Sequence, residues 1–462
     1  MAPVLLGLAA ALVAAEAAFG GPLLPPADVQ PLVERFVATE AQALAVERGI
    51  RLGRPLAVRV LDRVQLAAER DALAARRSPP AEARAEASLR WRMGLGGDPR
   101  AAVAAPSAHF HATGLYDPAA KRVLIGNWSP LDLDRFGRWR DLAQALLDRR
   151  FTFERLLRTD APVLAEGEHS DATLARLALI EGDATVQALE RLSPDGPPPT
   201  PVLAEILART REVITSESSP GEPLDLARRL FVQLDGAAFV AGVRARQPWS
   251  VVDEIWQRPP ESTEQIIHPE KYWRHEAPDD LSARLPAELA GGHWRAAFRD
   301  TLGELGVRVF LERVVGEHRA ARAAAGWSGD RVALYRDARA GEAGTDSELV
   351  VWITTWDDVT DADDFADQAA TVVGALAGAP LDQTPPSVAA RESRPRRDRA
   401  RRWQQTDAGG RVFVLEQRGS AVAMMLGAPR ELERAWVAIM ASMAAGKTAG
   451  IGRAPSRRSP SR

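Results

Sequence analysis

In RWRDLAQALLDRRF, Trp139, Leu142, Leu146, Leu147 and Phe151 recur at the three- and four-residue spacing of one helix face, which predicts an amphipathic helix over residues 140–151. The same period in Leu174, Leu177, Ile180, Ala184 and Ala188 predicts a second helix over 173–192. Upstream, the alternation in LAVRVL (56–61) and the apolar run at 122–126 predict strands, with a helix in VQLAAERDALAARR. DGPPPTP breaks the chain at 195–201, three or four further helices follow, and the pattern stays mostly helical to about residue 315. From about Gly326 the period shortens to that of strands. RVALYRD and ELVVWITTW predict two strands and DADDFADQAATVVGALAG a helix; RVFVLEQ and AVAMMLG predict a hairpin, and RELERAWVAIMASMAA a last helix. The expected fold class is therefore α+β. A mainly helical domain spans 25–315, and a small antiparallel-sheet module with two helices on one face spans 326–446. Residues 378–401 read as an exposed Pro- and Arg-rich loop and the basic tail 447–462 as disordered.

Composition narrows the function classes. With 462 residues, 46% of them hydrophobic, the chain can bury two cores. Its 59 basic and 62 acidic side chains leave a net charge of -3, so no global field draws it to nucleic acid. Having no cysteine, it has no disulfides, thiolate metal sites or cysteine nucleophile. MAPVLLGLAAALVAAEAAFGG carries an apolar run from Val4 to Ala15 followed by small residues, the pattern of a signal peptide over 1–18. Export to the periplasm or the extracellular space is the expectation, with no membrane span in the mature chain.

The chemistry turns on Arg140, Asp141, Gln144 and Glu181. In a His-Glu-x-x-His metallohydrolase, two imidazoles one helical turn apart reach one zinc, and the intervening glutamate activates the bound water. Arg140, Asp141 and Gln144 stand at those offsets. Arginine has no lone pair and carries a fixed positive charge, glutamine is a poor zinc ligand, and aspartate is one methylene shorter than the usual base. On these residues alone the segment is an amphipathic helix with a polar outer face.

The segments RDLAQALLDRRF, LALIEGDAT, PPESTEQIIHPEKY, AAGWSGDRVALY and VVWITTWDDVTDADDF, in this order, resemble secreted bacterial zincin-like metallopeptidase homologues over roughly residues 115–365. Ala145, Leu146, Asp148 and Phe151 match that family's zinc helix, and Glu181 to Thr185 match its Glu-Gly-Asp-Ala-Thr segment, whose glutamate is the third zinc ligand. The resemblance implies a zincin-like helical domain in which both histidines and the catalytic glutamate are replaced while Glu181 survives. It also implies that Arg140 faces Glu181 across the vacated position and replaces the cation. His268, Tyr272 and Asp183 are the candidate cleft residues; for His268 and Tyr272, a helix cap and a packed ring are the other reading.

The expected protein is thus a pseudoenzyme with no catalytic residues, no metal ligands and no cofactor, retaining a role in binding a protein or peptide or in envelope structure. The alternative is an active metal-dependent hydrolase whose zinc is held by a rearranged set such as Glu181, His109 and His111. ASMAAGKT lacks the first glycine and the following helix of a phosphate loop, and no Gly-x-Ser-x-Gly elbow is present.

Overall fold

The computed structural model describes residues 24–77, 80–99, 113–131, 134–157, 170–193, 198–216, 222–289, 292–340, 347–386 and 400–444. The expected signal peptide, His109 and His111, and the basic tail lie outside the described residues. The chain divides into two compact units, 1–278 with 298–310, and 279–297 with 311–462. The division thus falls earlier than the expected start at 326, and the chain crosses it more than once. Among the described residues no helix is long and apolar enough to cross a membrane.

The first unit begins with α1 (Pro26–Arg48), β1 (Ala57–Leu61), α2 (Arg63–Arg77) and α3 (Pro80–Arg92). A hairpin of β2 (Gly114–Asp117) and β3 (Arg122–Gly126) follows, then α4 (Arg135–Phe151), α5 (Phe153–Leu157), α6 (Ser170–Leu192) and α7 (Thr200–Ser216). Next come α8 (Pro223–Leu230), a π-helical turn (Phe231–Asp235) and α9 (Gly236–Arg244), then α10 (Trp249–Gln257), α11 (Thr263–Ile267) and α12 (Pro269–Trp273). The three strands form one sheet in the order β1-β3-β2, with β1 parallel to β3 and β2 antiparallel to it. Helices α1, α4 and α6 bury their apolar stripes in a common core that includes Val37, Leu44, Leu142, Leu146, Leu179 and Ala184.

Two anchors fix α4 and α6. Asp148, near the end of α4, is buried and accepts hydrogen bonds from the Tyr116 hydroxyl (2.6 Å), Lys121 Nζ (2.7 Å) and the Phe153 amide (2.7 Å), tying the helix to the β2–β3 hairpin. On α6, Gly182 lies against α9 at Gly236: a Cβ at Gly182 would collide with the Gly236 carbonyl, and one at Gly236 with the Ala178 carbonyl. Backbone contact at this crossing sets the rotation of α6 about its axis. Gly182→Ala is expected to destabilise the protein by about 1–3 kcal/mol through overpacking, read as a lower midpoint in urea unfolding. An unchanged midpoint would show that the helices can separate freely.

The second unit carries an eight-stranded sheet in the order β4-β5-β6-β7-β11-β10-β9-β8. Its strands are β4 (Glu288–Leu289), β5 (Trp294–Asp300), β6 (Trp327–Asp337), β7 (Glu348–Trp356), β8 (Asp382–Thr384), β9 (Ala400–Thr406), β10 (Val412–Arg418) and β11 (Ala421–Ala428). Helices α13 (Gly303–Val315), whose residues 303–310 belong to the first unit, and α14 (Glu317–Ala324) precede β6, α15 (Val359–Ala377) follows β7, and α16 (Glu433–Ala444) follows β11. The strand pairs from β6 to β8 along this order are antiparallel. Helix α15 starts with Asp358 accepting from the amides of Thr360 (2.6 Å) and Asp361 (3.0 Å) and ends at Gly378 in the left-handed conformation.

This sheet corrects the expected module in two respects. It has eight strands rather than four, because β4 and β5 form inside the stretch read as helical, and β8 and β9 in and beside the Pro- and Arg-rich segment. Its two long helices cover opposite faces. Val351 and Ile353 of β7 join a core with Trp436 and Ile439 of α16, whereas Trp352 and Trp356 meet Phe365 of α15 at ring-centroid distances of 6.0 and 4.5 Å. Successive strand residues point to opposite faces, so a strand buried at every position and apolar at six of nine, as ELVVWITTW is, has cover on both.

Candidate functional site

Helix α4 presents Trp139, Leu142, Leu146 and Leu147 to the core, which leaves Arg140 and Gln144, one turn apart, on a half-buried edge facing α6. Both side chains reach Glu181. Gln144 Nε2 donates to Glu181 Oε2 at 2.6 Å, and Arg140 Nε stands 3.2 Å from Glu181 Oε1. The Arg140 Nε–H has no hydrogen-bond partner even at this distance, so the arginine contact is an ion pair whose N–H is misaligned, and the hydrogen bond belongs to Gln144. Charge dominates the arginine's response: the Glu181 carboxylate raises the Arg140 pKa above its ordinary value. The Arg140–Glu181 pair implied by the resemblance is therefore present, with Gln144 as a third member.

Asp141, beside this pair, is only 5% exposed. Its Oδ2 lies against Gly114 of β2, where an added Cβ would stand 2.9 Å away. Burial pushes its carboxyl up from 3.8 to about 7, with Arg140 and Arg138 opposing the rise and Asp134 and Glu181 adding to it. Folding therefore takes up a proton at this residue between about pH 4 and 7. The associated stability is fully present below pH 4 and lost as pH rises through 7. A shift of this size corresponds to about 4 kcal/mol. Asp141→Asn is expected to flatten the fall in stability between pH 4 and 8 and to raise the midpoint of urea unfolding at pH 8. A variant whose pH profile matches that of the parent would place the titration elsewhere.

These residues do not fit a zinc ion. Both Glu181 oxygens are engaged, and the groups engaging them are an N–H of a guanidinium and an amide nitrogen, neither of which offers a lone pair to a metal. Among the described residues no group of three or more His, Asp or Glu side chains is placed to hold a metal. The Glu181, His109, His111 set includes two residues outside the described ones.

The other candidate residues lie apart from this pair. Asp183, expected at the cleft, is fully buried, because two residues along a helix turn a side chain to the opposite face. It accepts from Arg48 Nη2 (3.0 Å), Gln187 Nε2 (2.8 Å) and Trp256 Nε1 (2.7 Å). Tyr272 is also buried; its hydroxyl donates to the Arg258 carbonyl at 2.8 Å and its ring meets Phe239 edge-on. It is thus the packed ring rather than a cleft wall. His268 precedes α12, which begins at Pro269, and its Nε2 lies 3.1 Å from the buried Glu304 Oε1. The hydrogen bond to Glu304 raises the His268 pKa. Among the described residues no hydrogen bond or ion pair joins Asp183, Tyr272 or His268 to Arg140, Gln144 or Glu181.

A feature with no sequence signal is a cleft of about 500 Å³ among α1, α4, α6 and α10, lined by residues including Glu40, Arg48, Trp139, Gln187, Arg191 and Trp249. Its lining residues come from four helices, so no short spacing announces it. Arg191 lies over the Trp139 ring at 4.9 Å, and Arg48 over Trp249 at 4.3 Å.

Comparison with known proteins touches mainly the other unit. No curated protein and no solved structure matches the chain. A family model described as a domain of unknown function (DUF8575) matches residues 293–436, from the residue before β5 into α16, and the Arg140–Glu181 pair lies outside that segment.

Proposed function

We propose that this chain is an exported, catalytically inactive zincin-like protein that binds peptide, its hydrolytic metal replaced by a fixed guanidinium. The observation that carries the reading is the occupation of both Glu181 oxygens by side chains from the two histidine positions of the resembled motif, Arg140 at 3.2 Å and Gln144 at 2.6 Å. A half-buried carboxylate needs a cationic or hydrogen-bonding partner, and here the chain supplies its own. The replacement stabilises the helix pair and removes the Lewis acid that would polarise a scissile carbonyl. What remains for such a scaffold is recognition without cleavage.

Metal analysis of the full chain purified after growth with added zinc tests this. Zinc well below one ion per chain, with no chelator-sensitive peptide hydrolysis, is the expected result. One zinc per chain, lost in Glu181→Ala and accompanied by chelator-sensitive turnover, would overturn the reading in favour of a hydrolase drawing on His109 and His111.

A further inference from the structure

We propose that a cavity of about 240 Å³ in the second unit, between β9 and the start of α16, binds a small organic acid: a monocarboxylate whose short apolar tail lies against Met425 and Trp436. The proposal is independent of the α4–α6 pair. The cavity follows from strand periodicity. Arg402, Gln404 and Thr406 alternate along β9 and stand opposite Glu416, Val414 and Val412 of β10, so all six share one face of the sheet. On that face Val412, Val414 and Met425 pack with Trp436 of α16, but no β9 residue joins this core. The polar β9 side chains run past the apolar cover of the helix, and the 3₁₀ turn Arg430–Leu432 brings Arg430 to the same space.

The lining selects an anion. Gln404 Oε1 already accepts from Arg402 Nη2 at 2.8 Å, which leaves that amide only its Nε2 donors. Among the described residues, Gln404 Nε2, Thr406 Oγ1 and the Arg430 guanidinium make no hydrogen bond or ion pair, and none of these groups is closed off from solvent. The groups open to a ligand are thus an amide NH₂, a hydroxyl and a guanidinium, which together favour an acceptor carrying negative charge. Among the described residues no carboxylate lines the cavity. Glu416, opposite Arg402, is fully buried and engaged by Arg418 and the Trp436 N–H, each at 2.9 Å, and Glu431 is exposed outside the cavity. The rest of the class follows from the apolar half of the lining, Val412, Val414, Met425, Pro429 and Trp436. An inorganic anion would leave these side chains unmatched, whereas the tail of an organic acid covers them. The cavity is smaller than sites for drug-sized molecules, which favours a free acid of a few carbons over a longer chain.

The test titrates the full chain, labelled at the methyl groups of its six methionines, with hexanoate and follows Met425 and Met424 by NMR. A saturable shift is expected at Met425 and none at Met424, its neighbour on the opposite face. Acetate, which lacks the tail, and hexanol, which lacks the charge, should bind at least about tenfold more weakly, and phosphate should not compete. Arg430→Met and Thr406→Val should each weaken hexanoate about tenfold, the loss of one hydrogen bond to a charged partner. Arg295→Met, which removes an exposed guanidinium on β5, should leave binding unchanged. Either cavity variant failing to fold leaves the other decisive. Hexanol binding as tightly as hexanoate would overturn the carboxylate, and displacement by phosphate would overturn the organic acid. An acetylated tripeptide ending in leucine that binds more tightly than hexanoate would assign the carboxylate to a chain terminus and overturn the free acid. No saturable shift at Met425 would overturn the site.

Discussion

Placing histidine at the two α4 positions, Arg140→His with Gln144→His in an Asp141→Glu background, is expected to produce a chain that binds one zinc ion on the order of a thousandfold more tightly than the parent. The geometry for this already exists. Two side chains one turn apart on α4 converge on the Glu181 carboxylate, and the α6 rotation that presents Glu181 is held by backbone contact at Gly182 and Gly236. Replacing Arg140 removes the fixed charge that would repel a dication, and replacing both residues frees both Glu181 oxygens. Isothermal titration with zinc, and tetrahedral absorption bands on cobalt substitution, provide the readouts. Adding Glu181→Ala should abolish the gain. A folded triple variant that binds zinc no better than the parent would show that the α4–α6 pairing lacks the geometry of a metal site, and the zincin-like reading would fall with it.

Truncating Asp183 is the second large effect. Asp183→Ala should lower stability by about 3–5 kcal/mol, because it leaves the buried Arg48 guanidinium with Asp253 as its remaining carboxylate and strips Gln187 and Trp256 of their acceptor. Arg48 and Asp183 have side-chain exposures of 1% and 0%, and Asp183 also accepts from Gln187 and Trp256. Arg48→Met combined with Asp183→Leu is expected to recover much of that loss, since removing both charges removes the desolvation cost of each. Urea unfolding midpoints of the single and double variants give the comparison. If the double variant is as unstable as the sum of the single ones, the two residues act independently and the network account fails.

The long, strongly periodic elements were legible in the chain. ELVVWITTW became β7 over the same residues, and the helices expected at 140–151 and 173–192 are the bodies of α4 and α6. Elements with weak patterning were not. ARRWQQT forms β9 through its ladder with β10 although its side chains are mostly polar, since backbone pairing with a neighbour needs no apolar alternation in the strand itself. In β5, WRAAFRD does alternate, with Trp294 and Phe298 buried and Arg295 exposed, but alanines blur the period and the flanking sequence reads as helix. The site divides the same way. Spacing alone gave Arg140 and Gln144 a common face, whereas Glu181 was singled out by the resemblance of its Glu-Gly-Asp-Ala-Thr segment.

The sequence by itself determined which residues stand at the metal-ligand offsets, that one of them has no lone pair to offer zinc and another is a poor ligand, and where the principal helices and strands run, because all of these depend on residue type and on separations of a few positions. Only the tertiary structure decided that Arg140 and Gln144 meet Glu181, that Asp183 turns away into a buried network, that the sheet is covered on both faces, and that Trp139, Gln187, Arg191 and Trp249 share one cleft. Each of those depends on how a helix or strand is turned about its axis against a neighbour tens of residues away. That rotation is set by packing, as Gly182 against Gly236 shows.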